Sequence, residues 1–174
     1  MTAESKLPVI YVDIDRCIEC YACEVACKQE HSLSVGPRLI RVVKVEHLAD
    51  GRVKRVSAPM ACAHCGDAPC IDACPTKALR RKEKTGAVEV NQKRCIGCRM
   101  CVIACPFGAP QFESKGKMVK CDLCPDRIAR KEKPACVSAC PAEALKFETA
   151  ERTSEVVRGK RMSQAWSMKG KERG

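Results

Sequence analysis

Residues 95–106 read CIGCRMCVIACP: a C-x2-C-x2-C turn at Cys95, Cys98 and Cys101, closed by C-x3-C at Cys105 and then by Pro106. The same pattern occupies residues 17–27, CIECYACEVAC, with Cys17, Cys20, Cys23 and Cys27. Residues 62–75, CAHCGDAPCIDACP, stretch it to Cys62, Cys65, Cys70 and Cys74. A fourth copy is split: CDLC supplies Cys121 and Cys124, and PACVSACP supplies Cys136 and Cys140. All sixteen cysteines of the 174-residue chain fall into these four quartets, with none left over. Three of them are followed at once by a proline, Pro75, Pro106 or Pro141. A repeat this regular sets the architecture.

The spacing carries the chemistry. A C-x2-C-x2-C turn wraps three thiolates around one iron–sulfur cube, with backbone amides aimed at its sulfurs. The fourth cysteine lies one turn into a helix and faces a neighbouring cluster, which is the mark of two-cluster ferredoxins. The proline after it keeps the helix from continuing. Zinc also takes four thiolates, but its sites usually set two C-x2-C pairs well apart so that a tetrahedron can close. Four cysteines within eleven residues, as in the first and third quartets, suit a cube and suit zinc poorly.

Composition agrees. With three Phe, two Tyr and one Trp, ordinary burial must be supplemented by cross-links, either disulfides or metal. The start of the sequence, MTAESKLPVIYVDIDRC, has no basic n-region, long apolar run or twin arginine. No stretch approaches the roughly 20 apolar residues of a membrane span. The expectation is therefore a cytoplasmic protein, where structural disulfides are rare and thiols bind metal.

Between the quartets lie short elements. PVIYVDID reads as a strand entering the first quartet, and YACEVACKQEH as a helix that can run on toward His31, because Lys28 stands where a proline follows the other quartets. RLIRVVKVEH and RVKRVSAPM flank Asp50-Gly51 and predict a hairpin. Two further hairpins are expected, around Thr85-Gly86 and around Lys115-Gly116. The fold class is α+β: small antiparallel sheets and short helices packed around clusters that serve as the core.

The third and fourth quartets, RCIGCRMCVIACPFGAPQF and KMVKCDLCPDRIARKEKPACVSACPAEAL, resemble the four-cluster electron-transfer subunits of molybdenum and tungsten oxidoreductases. CAHCGDAPCIDACPTKAL matches the second motif of that family and CIECYACEVACKQEH its first, so the resemblance covers about residues 9–148. The family includes the iron–sulfur subunits of dimethyl sulfoxide reductase, formate dehydrogenase and tungsten aldehyde oxidoreductase. The resemblance implies four 4Fe–4S clusters and a nested pairing. Cys17, Cys20 and Cys23 share a cluster with Cys140, and Cys121, Cys124 and Cys136 share one with Cys27. Cys62, Cys65 and Cys70 are completed by Cys105, and Cys95, Cys98 and Cys101 by Cys74. Spacing alone also allows quartet one to pair with two, and three with four.

Nesting implies two interlocked bacterial-type two-cluster ferredoxin units. The outer one spans residues 1–37 and 107–148, the inserted inner one 38–106, and a basic C-terminal extension follows at 149–174. The expected function is a single-electron relay with no catalytic residues of its own. Its partners are a large tungsten- or molybdenum-pterin catalytic subunit, of aldehyde oxidoreductase or formate dehydrogenase type, and another redox subunit or carrier, such as a flavin/NAD-linked subunit. A free-standing polyferredoxin serving a hydrogenase or other redox enzyme is the alternative, and self-association into a longer relay is compatible with the sequence. There is no G-x-G-x-x-G or G-x-x-x-x-G-K, and His31, His47 and His64 form no nucleophile or base constellation. His64, between Cys62 and Cys65, reads as a packed loop histidine, with iron ligation or a hydrogen bond to the cluster as the alternatives.

The net charge of +11 first suggests nucleic acid, yet six aromatics offer little stacking surface. Four thiolate-bound clusters of about −2 each bring roughly −8, so most of the excess is counter-charge and the loaded protein stands near +3. In the tail, TAERTSEVVRGKRM predicts a short helix breaking at Gly159, and SQAWSMKGKERG reads as disordered. Trp166, flanked by Met162 and Met168, is the expected docking anchor.

Overall fold

A computed structural model describes residues 7–171. Among these residues are eight strands in four two-stranded sheets, six α-helices and one 3-10 turn at Ile14–Arg16. Three of the sheets are the expected hairpins. The longest joins β2 (Ile40–Ala49) to β3 (Arg52–Ala61) in a register that sets Ala49 opposite Arg52. Only Asp50 and Gly51 remain for the turn, and both take positive φ, which a two-residue turn of the primed kind requires. The second pairs β4 (Leu79–Arg81) with β5 (Val88–Val90), and the third β6 (Gln111–Phe112) with β7 (Met118–Val119).

The fourth sheet was not legible as a pair. β1 (Pro8–Val12) runs antiparallel to β8 (Leu145–Thr149), with Pro8 opposite Thr149 and Val12 opposite Leu145. This closes the chain on itself around everything between the first and fourth quartets.

The helices follow the prolines. α1 (Ala22–Glu30), in the quartet without one, runs nine residues and contains both Cys23 and Cys27. α2 (Pro69–Asp72), α3 (Met100–Ala104) and α5 (Ala135–Ser138) are single turns ending before Cys74, Cys105 and Cys140. α4 (Pro125–Ala129) starts directly after Cys124, with Pro125 at its first turn, where the missing N–H costs nothing.

One expectation is corrected. α6 (Ala150–Lys171) is a continuous 22-residue helix, so Gly159 does not break it and the segment expected to be disordered is helical as far as Lys171. A glycine inside a helix costs about 1 kcal/mol relative to Ala. Here Lys160, the next residue, ties that turn to the body of the protein by ion pairs to Asp13 and Asp15. The side chain of Met168 lies outside the described residues.

The buried side chains form two groups. One contains Cys23, Cys27, Cys121 and Cys136 with Leu39, Ile40, Leu123 and Leu145. The other contains Cys70, Cys95 and Cys101 with Leu79, Val88 and Met118. The first draws its thiols from quartets one and four, the second from two and three. Large apolar residues are few in both, so the thiols themselves occupy the places a core would fill.

Candidate metal centres

All sixteen cysteines are free thiols. In each quartet the residue before the second cysteine has a left-handed backbone: Glu19, His64, Gly97 and Leu123, with φ of 57°, 49°, 71° and 67°. Only one of the four is glycine, so the other three are held there at a steric cost of about 1–2 kcal/mol each. A left-handed residue between right-handed ones turns successive N–H groups toward one concave side, the geometry of an anion nest. The sequence offered one clue to this, Gly97. There the constraint is double, because a Cβ would stand 2.4 Å from the Gly116 carbonyl oxygen.

A second repeat follows the last cysteines. Lys77 and Glu143 are also left-handed, and they swing the next N–H back onto sulfur. Ala78 N donates to Cys74 Sγ at 3.3 Å and Ala144 N to Cys140 Sγ at 3.2 Å. In the second quartet His64 N donates to Cys62 Sγ at 3.4 Å. Amide donors aimed at sulfur stabilise thiolate and cluster sulfur alike.

The thiols gather in four places. Cys17, Cys20, Cys23 and Cys140 line one apolar cavity together with Val42 and Leu145. Cys74, Cys95, Cys98 and Cys101 line another with Leu79, Val90 and Met118. Cys27 lies near Cys121 and Cys124, and all three are near Cys136. Cys70 lies near Cys62 and Cys105. Burial pushes the Cys23 thiol up to about 11, and those of Cys27 and Cys121 up to about 12. Cys136 is driven up as well, by burial and then by Cys121, Cys27 and Cys124. Cys74 goes the other way: burial raises it, but hydrogen bonds from Thr76, Ala78 and Leu79 outweigh that, and its pKa is lowered. Buried thiols packed against one another, with amides turned toward them, fit metal–sulfur clusters. Cys20 and Cys98 alone among the sixteen are exposed.

His64 packs as expected. Val88 N donates to its Nδ1 at 2.9 Å, while Nε2 is buried with no partner among the described residues. Burial, then the charges of Lys120 and Arg81, lower its pKa to about 3, so the ring is neutral. Arg81 clamps the loop carrying it, donating to the carbonyls of His64, Gly66 and Gly86. Two residues lie near the thiols in a way the sequence reading did not assign. His31 Nε2 sits 3.6 Å from Cys124 Sγ and 3.5 Å from Asp122 Oδ1. Lys120 is 5% exposed and donates to the carbonyls of Val88 and Cys121. His31 ends the first motif and Lys120 directly precedes the fourth, but neither spacing shows what the side chain touches, so only the fold reveals these contacts.

Comparison with known proteins gives the arrangement a family. A 4Fe–4S dicluster domain matches residues 53–150, more than half of the sequence, and a 4Fe–4S binding domain matches residues 14–30. The B subunit of the anaerobic dimethyl sulfoxide reductase of Escherichia coli is 41% identical over 146 residues, which cover 79% of this protein and 71% of that subunit. The protein belongs to the 4Fe–4S iron–sulfur subunit family of the molybdenum oxidoreductases.

Other members of that family align over similar lengths. The formate dehydrogenase iron-sulfur subunit of Wolinella succinogenes is 37% identical over 171 residues, 85% of this protein and 84% of that one. The thiosulfate reductase electron transfer subunit of Salmonella typhi is 41% identical over 143 residues, 80% and 74% respectively. Like these relatives, this iron–sulfur subunit is an electron-transfer component of an oxidoreductase complex and not its catalytic subunit. Its sixteen cysteines and two 4Fe–4S domains account for four 4Fe–4S clusters. Among the described residues no helix is long and apolar enough to cross a membrane.

Proposed function

We propose that this subunit carries single electrons between a large molybdenum- or tungsten-pterin catalytic subunit, of formate dehydrogenase or aldehyde oxidoreductase type, and a second redox subunit or carrier in the cytoplasm. When bound, each 4Fe–4S group supplies a one-electron couple. The ligand sets are nested: Cys17, Cys20, Cys23 with Cys140; Cys27 with Cys121, Cys124 and Cys136; Cys62, Cys65, Cys70 with Cys105; and Cys74 with Cys95, Cys98 and Cys101. Two interlocked ferredoxin units follow, residues 1–37 with 107–148, and 38–106 inserted between them.

The observation that carries this reading is the succession of thiols. Cys27 lies within electrostatic reach of Cys23, Cys121 of Cys62, and Cys101 of Cys70, so each group of four neighbours the next in a single file. The file begins and ends at the two exposed thiols, Cys20 and Cys98. Exposed apolar side chains flank each in sequence, Ile18 and Val25 at one end, Ile96 and Ile103 at the other. Two electron ports, one per partner, fit that layout. Between them Cys23, Cys27, Cys121, Cys124, Cys136, Cys70, Cys95 and Cys101 are buried, while Cys62, Cys65 and Cys105 are half-buried.

The basic helix α6 is the docking element for one partner. It packs on β1 and β8, beside the first quartet, and leaves Met162 and Trp166 exposed at 71% and 79%. Large apolar side chains left exposed on a helix beside a port are suited to burial against a partner.

Iron analysis with EPR of the reduced protein tests the reading. About sixteen iron atoms and four interacting signals are expected; about four iron atoms, or stoichiometric zinc, would overturn it. Purification with a large pterin-containing subunit separates a dedicated subunit from a free polyferredoxin.

A further inference from the structure

Lys120 is a buried cation in an unusual place. It lies in the single residue between β7 and Cys121, and its ammonium is turned inward to the carbonyl oxygens of Val88 and Cys121, the latter at 2.6 Å. Carbonyl oxygens satisfy its hydrogen bonds but do not neutralise its charge. Among the described residues no carboxylate is paired with it. A buried charge without a counter-ion is strongly disfavoured, and such groups are normally found paired. Its charge is felt at Cys121 on one side and at Cys70 on the other. Those thiols belong to the two inner groups of the file, one on each side of the boundary between the two cores.

We propose that Lys120 is the shared counter-ion of the two inner clusters and holds their reduction potentials above the values their burial alone would give. The inference rests on the nested ligand sets proposed above. An electron entering either inner site takes it from about −2 to about −3, with no bond made or broken. A fixed positive charge in a low-dielectric interior favours the more negative state. Burial opposes it, since the desolvated cluster resists added charge. Lys120 offsets that penalty at both inner sites at once, whereas its charge is not among the leading influences on Cys23, Cys74 or Cys101 of the outer groups. An electron crossing between the two cores therefore meets a pair of sites kept reducible by one side chain. This positioning role requires no proton movement on the lysine.

The test is an EPR-monitored redox titration of the full, cluster-loaded protein with Lys120→Met, Lys120→Gln and Lys120→Arg. In the neutral variants two of the four midpoint potentials should fall, each by about tenfold in the oxidised-to-reduced ratio, roughly 59 mV for a one-electron couple. The other two should stay, and Lys120→Arg should restore the inner pair. If the neutral variants lose the two inner clusters while Lys120→Arg keeps all four, the requirement for charge at that position is likewise established. Unchanged potentials in neutral variants that hold four clusters overturn the inference. So does failure of Lys120→Arg to hold the inner pair, since the lysine then acts by fit and not by charge. Iron content of the unaltered protein is measured first, so that a protein without four clusters is recognised as a failure of the relay itself.

Discussion

The ammonium of Lys160 on α6 is paired with the carboxylate of Asp13, 147 residues earlier, and with Asp15 at 2.6 Å. Asp13 is also held from the residue just before β8, its N–H donating to the Ala144 carbonyl at 2.8 Å. One short stretch before the first quartet therefore anchors both the closing sheet and the C-terminal helix. The Lys160 hydrogen bond, partly opposed by burial, keeps the Asp13 carboxyl below the usual carboxylate range, and the same carboxylates raise the Lys160 pKa.

Releasing that pair should free α6 without disturbing the clusters. Lys160→Met is expected to speed hydrogen exchange across α6 while the iron content and visible spectrum stay constant. A carboxyl whose folded pKa is depressed contributes stability above its unfolded pKa of about 3.9 and loses it as pH falls through the lower folded value. The exchange difference between Lys160→Met and the unaltered protein should thus be constant from pH 8 to about 5 and shrink below 4. A difference that persisted in acid would count against the ion pair as the tether.

Glu24 ties α1 to the long hairpin. It is 7% exposed, accepts from Val42 N at 2.7 Å and from Arg38 Nη1 at 3.2 Å. Glu24→Ala leaves a buried N–H without a partner and should destabilise the protein by about 1–3 kcal/mol, read from the denaturant midpoint. Arg38→Ala should cost less, because half of that side chain is in water.

Gly97→Ala should remove one cluster and leave three. The substitution forces a side chain into a φ of +71° and against the Gly116 carbonyl, at backbone that cannot give way. Iron content is expected to fall by roughly a quarter. The αL neighbour Arg99 should tolerate Ala far better, since its side chain is exposed and would give up only a cation–π contact with Phe112.

Cluster loading should depend on pH in a fixed direction. Cys23, Cys27 and Cys121, at about 11 to 12, are held protonated by burial at neutral pH, and each ligand thiol must lose its proton to bind iron. Raising the pH lowers that competition. An iron chelator should therefore strip the protein more readily at pH 6 than at pH 9, and reconstitution should release acid in a pH-stat.

Nested and sequential pairing give opposite results in cysteine replacements. Under nesting, Cys140→Ser changes the same EPR signal as Cys20→Ser, and Cys27→Ser the same signal as Cys121→Ser. Under sequential pairing, the signal disturbed by Cys140→Ser would instead be that of the third quartet.

Much of this protein is written in local spacing. The cysteine intervals name the metal chemistry, Asp50-Gly51 names its hairpin, and the prolines after Cys74, Cys105 and Cys140 cut their helices to one turn, because each acts within a few residues of itself. What only the tertiary structure decided lies between distant segments. The pairing of β1 with β8, the division of thiols between two cores, the reach of Lys160 to Asp13 and the burial of Lys120 have no local signature. Gly159 shows the limit from the other side. Its weak helix propensity was overridden by ion pairs with residues nearly 150 positions away, a contact that sequence distance hides and folding supplies.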